Sequence, residues 1–387
     1  MIGGPAMMTR WTGCKERSGT PAIALPVFGA GRTPEIGKSF GRRVMEFKRA
    51  RDERTVISRR TPRTRARGTD RRPGGLSIGG GAPRLVRTCA YLLSYYLGSL
   101  LGRKRPLLGG IKLTHDCNLA CIHCPFWKRK QASLSFPQAV GALKILHEWG
   151  TRILIIEGGE PFLWRDGHYR LADVVAEAKK LFFSVGVTTN GTFPIEVDSD
   201  IVWVSVDGMK ETHDRIRGGS FDTVIANIEA SAHPKIFAHI TVNTLNCDEV
   251  PRLVKFLASR VKGITIQFHY PYEGQDDELF LPIGRRKAVL DELIALKRRG
   301  LPVADSCACL RALKANRWKC RPWMIASVEP TGKAARGCYV KNRGEIACER
   351  CGFSAHTEIS LAYEGVLGSI LAGGRIFYSS RRTDSRA

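Results

Sequence analysis

Three cysteines fall within eight positions in "THDCNLACIHCPFW", residues 114–127, spaced C-x3-C-x2-C through Cys117, Cys121 and Cys124. A disulfide would use two of them and strand the third, whereas three thiolates on one short loop can face a single metal centre. Structural zinc sites and closed iron–sulfur clusters take four protein ligands. Three thiolates leave one metal position open to a group that is not protein. An imidazole from His115 or His123 would instead complete a zinc site, and that is the competing reading.

A second set of thiols lies near the C-terminus. "CRPWMIASVEPTGKAARGC" reads as a β-hairpin turning at Pro330-Thr331-Gly332, with Cys320 and Cys338 at its ends, and Cys348-x2-Cys351 follows. Four thiolates suit a closed [4Fe-4S] cluster or a zinc ion. Cys307 and Cys309 are too closely spaced to assign. Ten of the twelve cysteines follow residue 100, most in these two groups. That is the pattern of metal ligation in a reducing compartment, not of secreted disulfides, and a cytoplasmic location is expected.

The elements that must hold the first thiols are legible around them. Apolar, β-branched runs at "GGIKLTHD", "RILIIEGG", "FFSVGVTTN", "IVWVSVDG", "KIFAHITVN" and "GITIQFHY" read as six buried strands alternating with helical patterns. Six βα units predict an α/β fold, a partial (β/α)6 TIM-like barrel over residues 110–300. Chemistry in such folds gathers where strands end. The cysteine triplet follows the first strand, Gly158-Gly159-Glu160-Pro161 ends the second, Thr189-Asn190-Gly191 the third, and Ser205-Val206-Asp207-Gly208 the fourth. One pocket would collect them. Residues 301–387 then read as a small, loop-rich, cysteine-organised domain.

The N-terminal part differs. Residues 1–88 hold 20 Lys and Arg against 6 Asp and Glu, more than half of the net +25, and show no sustained apolar period. They read as a disordered basic arm, or as a stretch upstream of the true start. Nucleic acid is not the expected partner, since the surplus sits in this arm and no RNA-binding module follows. Residues 89–109 begin with "CAYLLSYYLGSLLGRKRPLL", an amphipathic lead-in helix. It would pack onto the next domain, or lie peripherally on the inner membrane face through residues 89–105, rings at the headgroups and basic residues on phosphates.

With these residues in view, the stretch from about 110 to 270 resembles the radical S-adenosylmethionine (radical SAM) superfamily. The resemblance implies that Cys117, Cys121 and Cys124 bind three irons of a [4Fe-4S] cluster and that S-adenosylmethionine chelates the fourth. It further implies that His123 lies against the adenine, and that Gly158 and Gly159, in the turn with Glu160 and Pro161, approach the methionine amino group. Asn190, Ser205 and Asp207 would face the ribose and sulfonium. A reduced cluster would then cleave the C5′–S bond to a 5′-deoxyadenosyl radical, fed by a low-potential donor such as ferredoxin or flavodoxin. Cys320, Cys338, Cys348 and Cys351 resemble the ligands of SPASM or twitch auxiliary-cluster domains, without the full SPASM pattern. A weaker resemblance, through "GRKRP", "GITIQFHYPYEG" and Cys-x-Pro-Trp, points to the hopanoid adenosyl transferase branch. The expected function is therefore radical SAM chemistry on a small-molecule, lipid or peptide substrate, lipid slightly ahead. An RNA-modifying radical enzyme and a zinc-organised binding protein are the alternatives.

Overall fold

The structure is a computed structural model that describes residues 82–272 and 277–378. Most of the expected basic arm, and with it the reading of an upstream stretch, lies outside the described residues. The first helix, α1 (Ala82–Leu100), starts ahead of the boundary expected at residue 89. Pro83 suits a first helical turn, where no amide partner is lost.

Six parallel strands form the core: β1 (Leu108–Lys112), β2 (Ile153–Glu157), β3 (Ser184–Thr189), β4 (Ile201–Ser205), β5 (Ile236–Val242) and β6 (Gly263–Phe268). Helices alternate with them, all but α4 as the sequence predicts: α2 (Phe136–Trp149), α3 (Leu171–Leu181), α4 (Lys210–Arg217), α5 (Phe221–Ala230), α6 (Val250–Leu257) and α7 (Ile283–Arg298). Strands buried on both faces need continuous apolar runs, and every residue of "IVWVS" in β4 is buried. Local chemistry sets the ends. Ser135 and Gln138 form a capping box before α2, and Gly150 closes it at φ 111°.

The C-terminal region departs from expectation. The hairpin is present, as β7 (Ile325–Val328) and β8 (Ala334–Arg336), but it does not stand apart. β7 pairs in parallel with β1, Leu108 opposite Ile325, so the eight-stranded sheet runs β8-β7-β1-β2-β3-β4-β5-β6. The remainder is also less loop-rich than expected, with helices α8 (Cys307–Ala315), α9 (Ser354–Tyr363) and α10 (Leu367–Phe377). The physical reason is that β1 would otherwise present an unpaired edge, which a short apolar strand covers.

α1 is turned inside out relative to a water-facing helix. Tyr91 donates to Gly150 O at 2.6 Å, Tyr95 to Arg105 O at 2.7 Å, and Ser99 meets Tyr363 at 2.9 Å. The tyrosine rings expected at headgroups thus include two, Tyr91 and Tyr95, that pack on the protein, because their hydroxyls find backbone carbonyls there.

Candidate functional site

The cysteine loop leaves β1 and is held from beneath by the end of β2. Gly159 N donates to Thr114 O at 2.7 Å and Glu160 N to Asp116 O at 2.8 Å. A Cβ on Gly159 would sit 2.0 Å from Asp116 O, and one on Gly158 2.8 Å from Thr114 O. Both glycines are thus demanded by the cysteine loop's own backbone, a cause beyond the ligand approach that the resemblance implies. Gly159→Ala is expected to displace the loop, costing about 3 kcal/mol or more because backbone cannot yield as a side chain does. Urea unfolding of the metal-free chain measures this.

Glu160 is a strut between β2 and β3. Its carboxylate accepts from Thr189 Oγ1 at 2.8 Å, Asn190 N at 2.7 Å and Phe162 N at 3.0 Å. Burial still pushes its pKa up to about 7. Pro161 is buried beside it and opens a short 3-10 turn. Asn190, placed by this strut, directs Nδ2 to Cys117 Sγ at 3.7 Å and to Asn118 Oδ1 at 2.9 Å.

The ends of β4 and β5 supply the other side. Ser205 and Asp207 are buried there. Both Asp207 carboxylate oxygens are committed: Oδ1 accepts from Thr241 N at 2.7 Å, and Oδ2 takes the Arg217 Nε–H at 2.6 Å. Burial opposes the charge on Asp207, but Arg217 and then His123 outweigh it and hold the carboxyl below its ordinary value. Arg217 in turn points NH1 at Cys121 Sγ, 3.8 Å away. The sequence reading missed Arg217, and it missed α4, the helix that carries it. The available signal was the run "HDRIRGG" directly after the Asp207 turn.

His123 lies on the same wall, Nε2 3.7 Å from Asp207 Oδ2, with Nδ1 buried and without a partner. Burial lowers its pKa to about 3. Its Nε2 is turned toward Asp207. His115 instead engages Lys130 O through Nδ1 at 3.1 Å. Among the described residues, the group of potential metal ligands drawn within 4.8 Å of one another is Asp305, Cys309 and Glu358. The triplet is not that tight, whereas sulfurs around one zinc, at about 2.3 Å from it, would lie about 3.8 Å apart. The donor set suits a group larger than one ion: half-buried Cys117 and buried Cys121 are each approached at sulfur by a side-chain donor, Asn190 and Arg217.

The structure also brings the four C-terminal cysteines together. Cys320, Cys338, Cys348 and Cys351 line one cavity with Trp318, His356 and Phe353. Burial, and then the mutual repulsion of their charged forms, raises the Cys351 pKa to about 11. Cys309 is buried in α8 beside Asp305 and Glu358, and Cys307 is buried at the start of that helix; neither lines the cavity.

A sequence profile of the radical SAM superfamily matches residues 111–257. The chain is 26% identical over 212 residues to the Fe-coproporphyrin III synthase of Methanosarcina barkeri (strain Fusaro / DSM 804), covering 49% of this chain and 52% of that protein. It is 30% identical over 215 residues to the pre-heme d1 synthase of Dinoroseobacter shibae (strain DSM 16493 / NCIMB 14021 / DFL 12), covering 49% and 51%. The chain thus spans about half the length of these two relatives. It is 26% identical over 291 residues to the mycofactocin maturase MftC of Mycolicibacterium smegmatis (strain ATCC 700084 / mc(2)155), covering 70% and 69%. In fold it is similar to Streptococcus suis SuiB bound to precursor peptide SuiA, with a TM-score of 0.54 at 13% identity over 90% of this chain and 82% of that one. The matched segment, residues 111–257, runs from within β1 to the end of α6 and contains the cysteine triplet and every strand-end motif, so this part of the chain is a radical SAM domain.

Proposed function

We propose that Cys117, Cys121 and Cys124 hold a [4Fe-4S] cluster that binds S-adenosylmethionine, and that the chain uses the resulting 5′-deoxyadenosyl radical on a polar, peptide-class substrate. The observation that carries this reading is the open triplet, locked from beneath by Gly159 and Glu160 and met at two sulfurs by Asn190 and Arg217. When bound, the cluster supplies the electron that splits the sulfonium. The chain's own residues do the rest. His123, Gly158, Gly159, Glu160, Pro161, Asn190 and Ser205 border the cofactor, while Asp207 orients Arg217. Anaerobic reconstitution with iron and sulfide, then reductant and S-adenosylmethionine, should release 5′-deoxyadenosine; a fully loaded protein that releases none contradicts the reading. A low-potential ferredoxin or flavodoxin would be the donor in the cell.

The substrate class is supported by the barrel mouth. Lys112 ends β1, Glu157 ends β2 and Glu329 follows β7. Lys112 Nζ lies 3.3 Å from Glu157, and Arg343 reaches Glu157 at 3.2 Å and Glu329 at 2.5 Å. Tyr339, next to Cys338, donates to Glu157 at 3.2 Å. Charges of this density at a strand-end mouth suit a polar substrate better than a hydrocarbon chain. A membrane-derived lipid is the second reading, favoured by the exposed apolar face of α1.

The domain division carried in the proposal is a lead-in at residues 89–109, a radical core at 110–300 and an auxiliary region at 301–387 that lends β7 and β8 to the core sheet. Cys320, Cys338, Cys348 and Cys351 hold a second [4Fe-4S] cluster in this reading. Cys348→Ala is expected to lower the iron content from about eight per chain to about four, a cubane apiece, with no change in zinc. Metal and labile-sulfide analysis checks it. Equal zinc loss with unchanged iron would assign that cavity to zinc.

A further inference from the structure

α1 exposes the wrong side. Val86, Leu93, Leu97, Leu100 and Leu101 are 66%, 61%, 49%, 61% and 81% exposed, and Ala90 between them is exposed too. At 100° per residue these six fall on one face, opposite Tyr91, Tyr95 and Ser99, which pack on the protein. A helix bathed by water would reverse this order, because its aliphatic stripe would go to the core. The helix is also anchored by three long-range side-chain contacts, so its orientation is set rather than incidental.

A second element extends the surface. Leu367, Ile370 and Leu371 on α10 are 53%, 47% and 49% exposed, while Ser369, Ala372 and Ile376 face inward. Tyr363, whose ring lies 5.5 Å from that of Tyr96 in a tilted pair, precedes Leu367 by four residues, so α10 begins within about 14 Å of Tyr363. Exposed Arg87, Arg103 and Lys104 lie beside α1, with Arg105 on the Tyr95 side, and residues 82–107 contain no Asp or Glu.

We propose that the α1 and α10 faces together dock on an anionic lipid surface, aliphatic side chains at the acyl boundary and the basic residues on phosphates. Among the described residues no helix is long and apolar enough to cross a membrane, so the mode is peripheral. Charge decides against a second copy of the chain as the occupant. Two α1 faces related by a two-fold axis would confront Arg87, Arg103 and Lys104 with themselves, with no acid on the helix to balance them. This inference is independent of the radical chemistry and holds for either substrate class.

The test uses the full chain, sedimented with vesicles of phosphatidylcholine alone or with phosphatidylglycerol added. Wild type should pellet with the anionic vesicles and at least tenfold less with the neutral ones. Leu93→Gln with Leu97→Gln should lower anionic binding at least tenfold. Arg103→Gln with Lys104→Gln should lower it and flatten its salt dependence. Thermal stability and 5′-deoxyadenosine release should match wild type in both variants, so a failure here leaves the radical reading untouched, and the reverse. Wild-type protein that stays in the supernatant with anionic vesicles overturns the proposal. So does analytical ultracentrifugation showing a wild-type dimer that the leucine variant converts to monomer.

Discussion

Cys121→Ala is expected to bring S-adenosylmethionine cleavage below detection, a loss of at least about a thousandfold, because a radical that needs an intact cluster has no slower route through the protein. The fold should tolerate the change. Cys121 contributes backbone as well as sulfur, its carbonyl accepting from Trp127 Nε1 at 3.0 Å, and alanine keeps that bond. Loss of one buried sulfur should cost the metal-free chain about 1 kcal/mol. Three measurements separate this outcome from unfolding: iron falling by about four per chain, unchanged far-ultraviolet dichroism, and undetectable 5′-deoxyadenosine. A variant that retains cleavage would show that the triplet is not the site.

Arg217→Met is expected to be the most destabilising substitution near the site, by about 3–5 kcal/mol, since it leaves the Asp207 charge buried without its partner. Asp207→Asn added to it should recover a large part of that loss, because the uncompensated charge is then gone. The pH dependence has a definite sign. Asp207 has its pKa held below the usual 3.8, so the stability it contributes is fully present above that value and is lost as pH falls through the depressed one. The stability gap between wild type and Arg217→Met should therefore be flat at neutral pH and shrink in acid. In loaded protein the same variant should shift the first cluster to a more negative potential, because a cation 3.8 Å from Cys121 Sγ favours the reduced form. A merely structural Arg217 would leave the potential where it was.

Much of this was legible in the sequence. The six strands declare themselves by runs such as "RILIIEGG", and period and length place the helices between them except the short, polar α4. Strand-end chemistry follows from that topology, so the triplet, Gly158-Gly159 and Asn190 could be expected at one mouth. What was not legible depends on tertiary pairing. Nothing in "IASV" says that β7 joins β1 in parallel, since a short hairpin looks the same whether it stands alone or covers an edge. Arg217 reads as one more charge on a polar helix until Asp207 is seen beneath it. Of the two readings open for the lead-in helix, packing onto the next domain holds for Tyr91 and Tyr95, whose hydroxyls the backbone carbonyls of Gly150 and Arg105 claim, and only the three-dimensional arrangement decides it. Asp207 likewise reads as a cofactor ligand, while its oxygens are spent on Thr241 and Arg217.

The most direct test is low-temperature electron paramagnetic resonance on reduced, anaerobically loaded Cys348→Ala/Cys351→Ala protein, in which iron remains at the first triplet alone. A reduced cubane signal that changes shape when S-adenosylmethionine is added is the expected result, since the sulfonium compound would then occupy the iron position that no cysteine fills. The absence of a cubane signal, or a signal that is the same with and without S-adenosylmethionine, would contradict it.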